Sequence, residues 1–170
     1  MATEKETREA IAAVIRLTVP DAIVIPRNQL GMLADGDFAA LIPSGAPTAN
    51  GVRGWVVTQS GADLVQQFSN YAEYRYSWRV VQVYSYQTGD DSTNSEDTFA
   101  SDRAAVMLAF LDPSAVTGID SDTVTNLGLI GALTFPQGSI TVAPGREGGK
   151  RVHIADGTIT AEVKLGANCE

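Results

Sequence analysis

From Ala72 to Gln87 (AEYRYSWRVVQVYSYQ) the chain alternates between two kinds of position, a period of two that predicts one long β-strand. Even positions carry Tyr74, Tyr76, Trp78, Val80, Gln82, Tyr84 and Tyr86. Odd positions carry Glu73, Arg75, Ser77, Arg79, Val81, Val83 and Ser85. Of the 5 Tyr and 2 Trp in the chain, all but Trp55 and Tyr71 fall on the even face. Such a strand spans roughly 50 Å at about 3.3 Å per residue, whereas a domain of this size is about 40 Å across. The strand is expected to overhang its own core, and an overhang with an aromatic face points to a partner.

Ahead of the strand, Ala10, Ile11, Val14 and Ile15 recur at helical spacing and predict a helix over Thr3–Val19. Thr3 and Glu6 fit a capping box, Glu4, Glu6 and Glu9 suit the positive end of the helix dipole, and Pro20 stops the helix. Short strands are expected at Ala22–Arg27, Phe38–Ile42 and Gly54–Gln59, separated by Gly- and Pro-rich loops over Asn28–Asp37 and Pro43–Gly54. Ser60–Asn70 reads equally as loop or strand. After the long strand and the polar turn Thr88–Asn94, a second helix is expected over Ser95–Leu111, capped by Ser95 or Thr98. Phe99, Arg103, Val106 and Phe110 line one side of it, with Ala100, Ala104, Met107 and Leu111 beside them, a stripe wide enough to cover a sheet. Pro113 marks its end.

Ser114–Phe135 reads as a loop followed by a strand from Leu127. Three short β-branched runs follow, Ser139–Ala143, Arg151–Ala155 and Thr158–Leu165, with turn signals at Gly145–Lys150 and Asp156-Gly157. The order of elements predicts an α+β fold: an antiparallel sheet with two helices packed on one face, plus a C-terminal β region. Residues 1–170 are read as a single domain, with 114–170 as a β-rich extension.

Composition narrows the chemistry. The net charge is −8, from 20 acidic and 12 basic residues, which repels a nucleic-acid backbone and leaves only an acidic wall past which DNA slides. No apolar run reaches 18 residues, and MATEKETREA lacks the plan of a signal peptide, so a cytoplasmic origin and no membrane are expected. The single cysteine, Cys169, has no partner for a disulfide or a zinc site. Gly145-Arg-Glu-Gly-Gly-Lys150 is followed by Arg151 in a hairpin context rather than by Ser or Thr and a helix, so it is not read as a phosphate loop. His153, the only histidine, lies within a strand and is read as structural. Asp120 and Asp122 lack the fuller acidic loop of a calcium hand and are read as a solvated turn. No cofactor, metal or catalytic constellation emerges, and an enzyme is not expected. Arg75 and Arg79 share the odd face, either in weak surface ion pairs or in a charged contact to a neighbouring subunit.

The front two-thirds of the chain resembles a known family. VIRLTVP, then AIVIPRNQLGMLADGDFAALIP with Arg27-Asn28-Gln29 and Asp37–Pro43, then Val81-Gln82-Val83-Tyr84-Ser85-Tyr86 and the Ala-rich Ala100–Leu108, are similar to tailed-phage neck and tail-terminator proteins. The resemblance covers residues 3 to 111. It implies a virion structural protein of the phage tail and neck, made in the host cytoplasm, that forms a homo-hexameric ring. Such a ring caps the tail tube protein and joins it to the head–tail connector protein, with genomic DNA passing through its lumen without sequence-specific binding. On this reading Tyr74, Arg75, Arg79, Tyr84, Tyr86, Arg27, Asn28 and Gln29 are expected at the subunit interface, the long strand extending a neighbour's sheet. The alternatives are another neck or tail ring component (head-completion protein or tail tube subunit) and a small β-rich binding module.

Overall fold

The amphipathic stretch after the N-terminus forms helix α1, Glu4–Thr18, and the hydroxyl of Thr18 donates to the carbonyl of Val14 (2.8 Å) one turn back as the helix ends before Pro20. The computed structural model describes residues 4–27, 53–69, 71–85, 92–120, 122–123, 132–135, 145–147 and 150–166. Strands β1 (Ile23–Arg27), β2 (Arg53–Gln67) and β3 (Tyr71–Ser85) follow, then helix α2 (Ser92–Leu111), a 3-10 turn at Pro113–Ala115, and strands β4 (Gly145–Glu147) and β5 (Lys150–Gly166). The expected capping residue Thr3, the strand at Phe38–Ile42, the loops around it and Ser139–Ala143 lie outside the described residues.

The fold is α+β, with a five-stranded sheet in the order β1-β2-β3-β5-β4. It is mixed rather than wholly antiparallel, because β1 runs parallel to β2, Ile23 opposite Gly54 and Arg27 opposite Thr58. Residues 28–52 separate the two strands, well over the roughly dozen residues that a parallel crossover needs. The ambiguous Ser60–Asn70 resolves as strand through Gln67.

The even face of β3 alternates into the main core. Trp78, Val80 and Tyr84 are buried there with Trp55 and Val57 of β2 and Ala155, Ile159 and Ala161 of β5. Ile11, Val14 and Ile15 of α1 and Phe99, Val106 and Phe110 of α2 belong to the same cluster. α1 is buried more widely than its apolar stripe, since Thr7, Arg8 and Ala12 are covered too. On the other face of the sheet, Val56, Val81 and Val83 form a separate small buried cluster with Ile154 against it.

Two expectations are corrected by packing. Ser95 does not cap α2: the helix begins at Ser92, and Ser95 is buried against His153, with Oγ to Nε2 at 3.2 Å. Asp156-Gly157 is not a hairpin turn but the middle of the continuous strand β5, paired with Val81 and Val80. Tertiary contacts override the local turn preference here. Asp156 is taken by Arg79 of β3, and Gly157 leaves room for Phe135, whose ring would lie 2.7 Å from a Cβ at that position. Backbone bonds between Thr134 and Thr158 (2.9 and 2.8 Å) hold that segment against β5. The expected turn at Gly145–Lys150 is instead where the hairpin closes, with Glu147 opposite Lys150. Gly157→Ala is expected to destabilise the protein by about 1–3 kcal/mol through overpacking. Most of that loss should disappear in a Phe135→Ala background, as urea titrations of the four proteins would read.

Candidate subunit interface

The sheet runs beyond its helices. β2 is exposed at every position from Ser60 to Gln67, while β3 changes from fully buried at Trp78 to half-buried or exposed between Tyr71 and Ser77. β5 keeps pace, Ala161 opposite Tyr76 and Gly166 opposite Tyr71. The overhang is thus a three-stranded arm, not a lone strand, projecting roughly 20 Å at about 3.3 Å per residue. Its tip closes with a bond from the Phe68 amide to the Tyr71 carbonyl (2.8 Å) and a stacked pair of their rings, 4.2 Å apart at 19°.

Two bulges in β2 decide what the arm displays. The pairing with β3 steps past Ser60 and again past Val65. Each step inverts the side on which later residues point. The first step brings Ala62 opposite Tyr76 and Leu64 opposite Tyr74, and turns Asp63 to the other face opposite Arg75. Without it Asp63 would sit among the tyrosines. The even face of the arm therefore carries Ala62, Leu64, Tyr74 and Tyr76 with no charge among them, and Asp63, Glu73 and Arg75 occupy the odd face. The rings of Tyr74 and Tyr76 lie 6.3 Å apart at 35°. Tyr76 packs against the core edge, and burial, with smaller contributions from Glu4 and Tyr74, pushes its phenol up.

The expected interface residues separate into groups. Tyr74 and Arg75 lie on the arm, on opposite faces. Arg79 is bound within the chain: its Nε donates to both carboxylate oxygens of Asp156 (2.9 and 2.8 Å), its Nη2 donates to Oδ2, and this partner holds the guanidinium above its ordinary value. Tyr84 is 2% exposed, inside the core. Arg27 ends β1 opposite Thr58, which in turn lies opposite Arg79. Tyr86, Asn28 and Gln29 lie outside the described residues. β3 cannot extend a neighbour's sheet, because its two edges are occupied by β2 and β5. Among the described residues the edge of β2 away from β3 has no partner strand beyond Thr58, and there the two bulges interrupt the ladder that an added strand would need; the edge of β5 away from β3 is likewise open beyond Thr158. The tyrosines of β3, a strand paired on both edges, are reached through their face.

Tyr84 instead centres a polar network that ties the base of the arm to α2. Its hydroxyl donates to Asp102, whose Oδ2 also accepts from Nη2 of Arg53 at 2.5 Å, and it lies 3.3 Å from the indole Nε1 of Trp55. The Arg53 guanidinium sits 5.5 Å from the Tyr84 ring centroid. Burial opposes its charge, but Asp102 and Tyr84 outweigh that and raise its pKa. Beside this, Gln82 donates to the carbonyl of Phe99 (2.9 Å).

His153 is fully buried, its ring 5.4 Å from that of Phe99. Burial lowers its pKa from 6.5, opposed by the charge of Glu96. The folded chain then holds the imidazole neutral over a range in which the unfolded chain binds a proton, so stability falls as pH drops below about 6.5. The urea midpoint followed from pH 7.5 to 5 should decline, and His153→Phe should flatten that decline.

One further apolar surface escaped the helical pattern. Leu111, placed by its spacing among the residues covering the sheet, is 66% exposed, and Leu108 is 65% exposed. With Ala100 and Ala104, also exposed, they form a stripe along the outer side of α2. A helix apolar on both sides signals a second burial. Among the described residues, no group of three or more His, Cys, Asp or Glu converges as a metal site would, and no helix is long and apolar enough to cross a membrane. Comparison of the sequence with protein-family models and with curated proteins returns no match.

Proposed function

We propose that this protein is a virion structural component of the tailed-phage neck, a tail terminator whose copies form a sixfold ring that caps the tail tube and joins it to the head connector. The observation that carries this reading is the three-stranded arm, which leaves the core and presents an uncharged aromatic face. Such a face on a strongly acidic chain is suited to contact with protein, and the net charge of −8 suits a ring through which DNA passes without adhering. The resemblance of Arg27–Pro43 and Val81–Tyr86 to neck proteins supports a position at the neck.

Gold-labelled antibody against the chain, applied to intact virions from cells that express it, tests the reading. Label confined to the head–tail junction supports it; label along the tail identifies a tube subunit, and virions without label overturn it. Tyr74→Glu, on the arm and outside the main core, should leave the melting temperature nearly unchanged while weakening assembly at least tenfold by sedimentation.

A further inference from the structure

The geometry points to a specific head-to-tail contact, resting on the ring reading: the arm of one copy seats its Leu64–Tyr74–Tyr76 face on the outer stripe of α2, at Leu108 and Leu111, of the next copy. Three observations carry it.

The first is continuity of layers. Near Gln82 and Tyr84 the even face of β3 is covered by α2, and the even face of the arm is the half-covered continuation of the same surface. What covers such a face inside this molecule is a helix with an apolar side. The outer side of α2, carrying Leu108 and Leu111, offers the same kind of side to a neighbour.

The second is charge. Each copy carries −8, so copies repel one another except where charges stay more than a Debye length apart, about 8–10 Å, or where the touching surfaces carry none. Among the described residues, Ala62, Leu64 and Tyr74 form one uncharged surface, with Glu4 near its core end beside Tyr76, and Ala104, Leu108 and Leu111 form another, a turn or more from Glu96 and Asp97. The bulge at Ser60 removes Asp63 from the first of them.

The third is that both edges of β3 are paired, so a partner reaches Tyr74 and Tyr76 through their face. The two surfaces are different, so the contact is heterologous, and a heterologous contact closes into a ring when its rotation permits.

Site-directed cross-linking tests this on the full chain. Cys169 is the only cysteine, so Cys169→Ser gives a clean background. Leu64→Cys and Leu108→Cys are introduced there singly, at exposed positions whose substitution leaves the core intact. A short bis-maleimide should join the two single variants when they are mixed, with at least tenfold less product from either alone. A chain carrying both cysteines should give a ladder ending at the number of subunits in the ring. Sedimentation of the same samples separates the two ways of failing. An assembled protein in which Leu64→Cys joins to itself, Leu108→Cys joins to itself, or the mixture gives no product overturns this contact and leaves the ring reading standing. A protein that stays monomeric at near-millimolar concentration overturns both.

Discussion

Trp78→Ala is expected to cost about 3–5 kcal/mol, among the largest losses for a single substitution in the described structure. Trp78 is fully buried at the point where β3 passes from core to arm, between Gln59 of β2 and Ile159 of β5. Removing the indole opens a cavity in the cluster shared by both helices and four strands, and these elements cannot all move in to fill it. Domains of this size are stable by about 5–15 kcal/mol, so the loss takes a large fraction of the total. It should lower the melting temperature by roughly 10 °C. The indole Nε1 is buried with no acceptor among the described residues. Trp78→Phe removes that unsatisfied donor together with part of the apolar surface, and is expected to cost less than half as much. Equal losses for the two variants in a urea titration would show that the ring phenylalanine retains contributes little packing at this site.

Asp102→Ala is expected to cost about 2–3 kcal/mol, because it leaves both the Tyr84 hydroxyl and the Arg53 guanidinium without their shared acceptor. The figure stays below that for a fully buried pair because the side chains of Arg53 and Asp102 remain 27% and 15% exposed. Tyr84→Phe should cost about 1 kcal/mol, and the double variant less than the sum, since each removes the same hydrogen bond. Additive losses would mean that Asp102 serves Arg53 alone. The network also has an alkaline signature. Burial, then Asp102, pushes the Tyr84 phenol up to about 12 from 10.0. The unfolded chain loses its proton first, so the stability contributed by Tyr84 is complete below pH 10 and is lost as pH rises through about 12. Asp102→Asn removes the neighbouring negative charge, brings the Tyr84 pKa back toward its ordinary value and should make the loss of stability above pH 10 shallower.

These two sites differ in how far the sequence announces them. Trp78 belongs to an alternating run whose even side is aromatic, and its inward direction follows from strand geometry. Tyr84 belongs to the same run, and the pattern cannot tell it from Tyr74. One lies at the core end of β3 and the other on the arm, a difference set by where the helices stop covering the sheet. Asp102 reads in sequence as an acid suited to the first half of a helix; its role depends on Arg53, far away in the chain, arriving at the same place. The arm was legible only as a length. That it has three strands, and that Leu64 joins the tyrosines on its face, depends on β5 running unbroken through Asp156-Gly157 and on a bulge at Ser60.

By itself the sequence determined the two helices, the faces of the long strand, the α+β class and the expectation of an overhang, because these rest on backbone periodicity and on the chemistry of residues a few positions apart. The tertiary structure alone decided the parallel placement of β1, the continuity of β5, the burial of Ser95 with His153 and the inversion of faces along β2. Each of these follows from pairing or packing between distant segments: Val24 beside Trp55, Phe135 on Gly157, Arg79 on Asp156, His153 on Ser95, and a bulge at Ser60 that turns Asp63 off an apolar face.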